Sequence, residues 1–223
     1  MGNFYANISL RGTTPAAVRE SLLAKSRRAY ITPLREGIVC VYDEVIDTQD
    51  LQELSDLTAS LSSDLGCLAL GVLNHDDDVL YYEVWDSGEQ KDEYNSNPAY
   101  FGDSEPEEDD ESLEPDEEFG PSDDEDEEEE EEEEDEDEES DESGPEGGDA
   151  FALAYAFGVP EQQSHIDELI SNPDAFVFAF ELHLKLCAAL GIPEDFAISG
   201  FNAIQLGDML PGLEADELEK VGF

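Results

Sequence analysis

Phe4, Ala6, Ile8 and Leu10 alternate with Tyr5, Asn7 and Ser9 at a period of two, which predicts a half-buried strand over residues 3–10. Thr13 or Thr14 then caps a helix with Pro15 in its first turn, and Val18, Leu22 and Leu23 hold helical spacing towards Arg28. Ala29–Tyr30–Ile31 and Ile38 to Tyr42 read as a hairpin turning near Gly37. Thr48 is the expected cap of a second helix, whose stripe of Leu51, Leu54, Leu57 and Leu61 stops at Gly66. Cys67 to Leu73 is an almost unbroken apolar run, Asn74 to Asp78 is a turn cluster, and Val79 to Trp85 is its hairpin mate. The order strand, helix, strand, strand, helix, strand, strand predicts an α+β fold: a ferredoxin-like split βαβ unit with an extra hairpin strand.

Beyond Glu89 the apolar pattern fades, and it returns only after Gly147–Gly148. Asp149 is the expected cap of a helix over Ala150 to Phe157, followed by a short helix marked by Ile166, Leu169 and Ile170. Ala175 to Leu190, apolar around most of its circumference, is the expected central helix of the C-terminal lobe, stopped by Gly191. An extended piece around Phe196 to Leu206 and a last helical turn at Glu214 to Lys220 complete the expectation. The chain thus divides into an α+β sandwich domain (1–102), a disordered poly-acidic linker (103–148) and a mainly helical lobe (149–223), too small to be secure alone and expected to pack on the first domain.

Charge explains the middle segment. The chain has 61 Asp and Glu against 9 Lys and Arg, a net −52. Residues 103–149 hold 32 of those acids and none of the bases, so the remainder carries 29 acids against 9 bases, about −20. Like charge at this density, with Pro106, Pro115, Pro121 and Pro145, cannot bury a core and predicts an extended chain. The same charge argues against direct nucleic-acid binding and against an anionic membrane surface, both of which need Lys and Arg to neutralise phosphate. No apolar stretch reaches the roughly 18 residues that span a bilayer, and the start lacks the basic and apolar regions of a secretory leader. Gly2 is not followed by the Ser or Thr that a myristoylation signal places where Ala6 stands. A cytoplasmic protein is expected, with Cys40, Cys67 and Cys187 as buried, reduced thiols in apolar runs.

Candidate chemistry is sparse. Asn74–His75–Asp76–Asp77–Asp78 brings three carboxylates and an imidazole together, but consecutive strand-like residues point alternate ways and the spacing lacks the alternating ligands of a calcium loop. It reads first as a hairpin turn. Asp43, Glu44 and Asp47 read as a solvated loop before a helix cap, although paired carboxylates are also the tools of acid–base chemistry. His183, between Glu181 and Lys185 at i,i+4 spacing, reads as part of an exposed, salt-bridged helix edge. No catalytic triad order, nucleophile elbow, phosphate loop or dinucleotide fingerprint is present. No catalytic, metal-ligating or cofactor-binding residue is nominated, and no cofactor is expected.

Six of the nine bases fall between residues 11 and 35. Arg19, Lys25, Arg27 and Arg28 form a candidate internal basic patch, against which the acidic segment would fold back in a salt-sensitive contact; otherwise these are helix-end charges and the segment stands free in water.

Met1–Gly2–Asn3–Phe4–Tyr5 with Leu10–Arg11–Gly12, Val41–Tyr42–Asp43–Glu44, Leu73–Asn74–His75–Asp76–Asp77–Asp78 and Asp92–Glu93–Tyr94–Asn95–Ser96 resemble an uncharacterised bacterial protein family. The likeness covers the first hundred residues and, more loosely, the segment after Gly148. It implies a bacterial cytosolic origin and no activity.

The leading expectation is a non-enzymatic interaction module whose acidic arm, centred on Glu127, Glu128, Glu129, Glu130, Glu131, Glu132, Glu133 and Glu134, engages basic protein surfaces as a nucleic-acid mimic or a buffer for basic proteins. The rival class is an enzyme, or a small-ligand or metal-binding protein, using the cleft between the lobes with Asp43 to Asp47 and His75 to Asp78 at its rim. Two further readings make the segment a spacer only, or make the charge an adaptation to high salt. Oligomeric state is left open.

Overall fold

The computed structural model describes residues 2–101, 144–208, 210–214 and 216–223. Its centre is one eight-stranded antiparallel sheet in the order β7-β6-β5-β4-β1-β3-β2-β8. The strands are β1 (Tyr5–Arg11), β2 (Ala29–Ile31), β3 (Ile38–Asp43), β4 (Leu68–His75), β5 (Val79–Asp86), β6 (Glu89–Asn95), β7 (Glu146–Gly147) and β8 (Glu219–Val221). Because β3 is antiparallel to both β1 and β2, the chain from β1 through α1 (Pro15–Ala24) to β2 is a parallel crossover split by β3. Helix α2 (Leu51–Leu65) makes the matching crossover from β3 to β4 with β1 between them.

Local chemistry sets these helix ends. Thr14 accepts a hydrogen bond from the Ala17 amide with Pro15 in the first turn, and Gly66 closes α2 in the left-handed conformation. The cap of α2 is Asp50 rather than Thr48. Asp50 accepts from the amides of Gln52 and Glu53, while Thr48 ends a 3₁₀ turn, Ile46–Thr48, and donates its hydroxyl to the Val45 carbonyl.

Both faces of the sheet are covered. Ala6, Ile8, Leu10, Val39, Val41 and Leu73 pack with Val18 and Leu22 of α1 and Leu54, Leu57 and Leu61 of α2. Ile38, Cys40, Tyr42, Leu70, Val72, Tyr82 and Tyr94 pack on the other face with helices α3 (Ala150–Ala156), α4 (Gln163–Ile170), α5 (Ala179–Leu190) and α6 (Phe201–Leu206). The expectation of a half-buried β1 is corrected here: Tyr5 to Leu10 are all buried, because the polar-looking side of the strand lies under the C-terminal segment. Across that seam the Tyr5 hydroxyl meets His183 Nδ1 at 2.8 Å, Asn7 donates to the carbonyls of Ala197 and Ser199, and Arg11 donates to the Phe157 carbonyl.

Three further expectations are corrected. The polar stretch after residue 88 contains β6, which pairs along its length with β5. Residues 201–206 are helical, not extended, and Asp47, 155 positions earlier in the chain, accepts the Asn202 amide at the start of α6. The last segment is the strand β8 against β2, not a helical turn.

The acidic segment enters after Phe101 and leaves at Gly144, between strands that pair with one another: Tyr94 faces Gly147 and Asn95 faces Glu146. Asp149 caps α3 and its own amide donates to Asp92. Gly147 has φ +75°, and a Cβ there would collide with the Glu93 carbonyl oxygen. Gly147→Ala is therefore expected to cost about 1–3 kcal/mol, since the clash is with backbone in a conformation that favours glycine. Urea unfolding checks this; an unchanged midpoint would mean that the β6–β7 edge contributes nothing to the folded state.

Candidate functional site

The hairpin turn between β4 and β5 is built by Asp76 and Asp77, both in the left-handed region at φ 51° and 64°. Its carboxylates hold the chain's start. Asp77 accepts from the amide and the side-chain nitrogen of Asn3, and from Asn74 at 3.2 Å; Asp76 Oδ1 accepts from the Gly2 amide. His75 lies edge-on to both Phe4 and Tyr100, with Nδ1 3.2 Å from Gln49 Oε1. Among the described residues no three His, Cys, Asp or Glu side chains converge as a metal site would require.

The other acidic group is also committed to the fold. Arg27 clamps the fully buried Asp43 through Nε and Nη2 at 3.0 and 2.6 Å, while Asp43 Oδ1 accepts from the amides of Val45 and Ile46. Glu44 pairs with Arg28. Asp47 is almost buried, and desolvation raises its pKa even though the amides of Asn202, Ala6 and Phe201 favour its charged form.

The four bases of the candidate internal patch have partners within the body: Arg19 with Glu219, Lys25 with Asp64, Arg27 with Asp43 and Glu53, and Arg28 with Glu44. Glu127 to Glu134 lie outside the described residues. Strands β2 and β8, beside this patch, stand at one edge of the sheet and β6 and β7 at the other, seven spacings or about 34 Å across.

His183 turns inward rather than lying on an exposed helix edge. It is buried against Tyr5, and burial pushes its pKa down to about 3, so it is neutral at ordinary pH. All three thiols are buried and unpaired, and burial raises Cys40 to about 12 and Cys67 to about 11, which leaves little thiolate for nucleophilic work.

Sequence reasoning passes over two features. Glu83 on β5 alternates like a solvent-facing residue, yet it is fully buried beneath α2, and neither carboxyl oxygen completes a hydrogen bond among the described residues. Desolvation raises its pKa; Trp85, Ser55 and Thr58 favour the charged form but are outweighed, and Glu93 adds to the rise. The second feature lies at the root of the acidic segment. A groove of about 470 Å³ runs between the β4–β5 turn, residues 96–99, Gly144–Pro145 and residues 173–182. Asp77, Asp78 and Val177 line it and also a neighbouring groove of about 420 Å³, which extends to Asn3, Phe178 and Phe180. The segment crossing between them is pinned by the Ala179 amide, which donates to the Asp77 carbonyl at 2.7 Å. Helix α5 begins at Ala179, not at Ala175, because the backbone is extended at Phe176 and Phe178, which leaves Val177 and Phe178 before its first turn with 80% and 45% exposure.

Among the described residues no helix is long and apolar enough to cross a membrane. No protein-family model, no curated protein and no solved structure matches this chain.

Proposed function

We propose that the protein is a non-enzymatic binding module in which the acidic segment, Glu127 to Glu134 at its centre, engages basic protein surfaces, as a nucleic-acid mimic or a buffer for basic proteins. One observation carries the reading: 32 acids and no base are concentrated in residues 103–149, and the described residues on either side of 102–143 lead into β6 and β7, adjacent paired strands of a well-packed body. Cross-strand neighbours lie about 5 Å apart, so the two strands that flank the segment bring its attachment points to one sheet edge. Arg19, Lys25, Arg27 and Arg28 already have carboxylate partners in the body, so an external surface with unpaired bases competes better for the segment than they do. The strand order β4-β1-β3-β2 with its two crossovers supports reading the first part of the body as a ferredoxin-like split βαβ unit, extended by β5 and β6.

The test is affinity capture from a cell lysate with the full chain and with a chain in which residues 103–143 are replaced by a short Gly-Ser linker, washed at about 0.1 M and 1 M salt, where the Debye length falls from about 10 Å to about 3 Å. The replacement stops before Glu146 and Asp149 because both belong to the body. It closes a shorter loop and is expected to leave the body as stable as before, or more stable by about 1–2 kcal/mol. Basic partners held only by the full chain and released at high salt are the expected result. Identical partners for both chains would reduce the acidic segment to a spacer.

A further inference from the structure

We propose that the paired grooves at the root of the acidic segment form a second contact for the same partner, accepting a basic peptide segment that carries an apolar side chain. This rests on the reading of the protein as a binder of basic surfaces and adds to it a place on the folded body and a requirement in the ligand. Val177 and Phe178 form an exposed apolar ridge between the two grooves, and Phe178 stacks on Phe180 with ring centroids 5.6 Å apart. Contiguous apolar side chains exposed beside a groove and rimmed by polar residues are the pattern of a contact surface. Asp76, Asp78 and Asp174 surround the ridge, and among the described residues neither groove has Lys or Arg in its lining. That combination repels an acidic occupant, would leave its carboxylates desolvated and unpaired beneath a purely apolar one, and suits Arg or Lys flanking a Leu- or Phe-sized side chain. The ridge is pre-formed, since the hydrogen bond from Ala179 to Asp77 ties it to the β4–β5 turn, so little ordering opposes binding. The acidic segment springs from the rim, where Asn97 and Gly144 line the same groove, and long-range attraction by the segment delivers a basic partner to the ridge.

The test is titration calorimetry on the full chain at about 0.15 M salt with two decapeptides of equal charge, one alternating Arg with Leu and one alternating Arg with Ser. The Arg-Leu peptide is expected to bind at least about tenfold more tightly, the effect of burying one leucyl side chain. In V177S/F178S the advantage is expected to vanish while Arg-Ser binding stays unchanged; both positions are exposed, and circular dichroism reports whether the variant is folded. D78N/D174N provides a second arm and is expected to weaken both peptides without altering their ratio. Equal affinities for the two peptides on the native chain would overturn the groove proposal while leaving the acidic segment's role intact. A Leu preference that survives in V177S/F178S would overturn it as well, by placing the apolar contact elsewhere. Failure of both peptides to bind the native chain would overturn the proposed function itself. A dimer of the native chain that becomes a monomer in V177S/F178S on sedimentation would assign the ridge to a second copy, against the proposal.

Discussion

Asp43→Ala is expected to lower the unfolding free energy by about 3–5 kcal/mol. Asp43 is fully buried, and its two oxygens serve Arg27 and the amides of Val45 and Ile46. Truncation removes the carboxylate and leaves a guanidinium, 16% exposed, with only the more exposed Glu53 to face. In the native protein burial disfavours the charged Arg27, but the hydrogen bonds and charge of Asp43, followed by those of Glu53, more than offset this and raise its pKa. The variant keeps the burial without the main compensation. It also loses the bonds that shape the turn leading to Asp47, which in turn fixes the start of α6. Urea unfolding of the two single variants and of Asp43→Ala/Arg27→Met checks this: the double variant is expected to be more stable than Asp43→Ala alone, because it has no orphaned charge. A single-variant loss below about 1 kcal/mol would show that water compensates the pair and that it does not organise this corner.

Glu83→Gln is expected to act in the opposite direction, raising stability at neutral pH, because the amide keeps the shape of the side chain while removing the charge that burial disfavours. The pH dependence follows from the direction of its shift. Desolvation places the folded-state pKa of Glu83 above the unfolded value, so on raising the pH the unfolded chain releases its proton first. The resulting destabilisation is absent below the unfolded carboxylate pKa near 4.3, grows as pH rises through the interval, and is complete above the folded pKa. Asp47 and Asp92 are shifted upwards by burial as well, so they tilt the curve the same way. Repulsion within a chain of net charge −52 adds to the slope. The body is therefore expected to be most stable at mildly acidic pH. Unfolding midpoints measured from about pH 4.5 to 8 should fall with pH in the native chain and fall less in Glu83→Gln. Parallel curves for the two proteins would show that Glu83 is already ionised and satisfied in the folded state.

The elements legible in the sequence are those with local causes. Thr14 before Pro15, the leucine stripe ending at Gly66, and Asp149 before the apolar Ala150 to Phe157 each combine a periodic pattern with a chemically specific stop or start. What escaped depends on residues far away in the chain. Strand β6 is polar because much of it is exposed near the sheet edge, so only pairing with β5 reveals it. Strand β8 exists because β2 offers an edge nearly two hundred residues earlier, and α6 exists as a helix partly because Asp47 reaches its first turn. Alternation on β1 and β5 was legible, but not its meaning: Asn7 occupies a position that in a two-layer fold would meet water and is here covered by the C-terminal segment, while Glu83 faces α2 among the apolar residues of the first core. The acidic turn could be recognised as a turn from His75 to Asp78, whereas its task of anchoring Gly2 and Asn3 could not. The ridge was hidden for a similar reason. Val177 and Phe178 continue the apolar run of α5, and only the extended backbone at Phe176 and Phe178 shows that the helix has not yet begun.

The attachment of the acidic segment to adjacent strands also sets the mechanical response of the molecule. Tension applied to the segment pulls Asn95 and Glu146 apart across the open end of a ladder only two residue pairs long, so the load falls on the pairs in succession, as in a zip, and is not shared. The next restraints in line are the Gly148 amide on the Glu93 carbonyl and the Asp149 amide on Asp92, which lead directly into the first turn of α3. A heavy or moving partner held by the segment would therefore peel the start of α3 from the sheet while β1, β3 and β4, paired over longer stretches at the centre, carry almost none of the force.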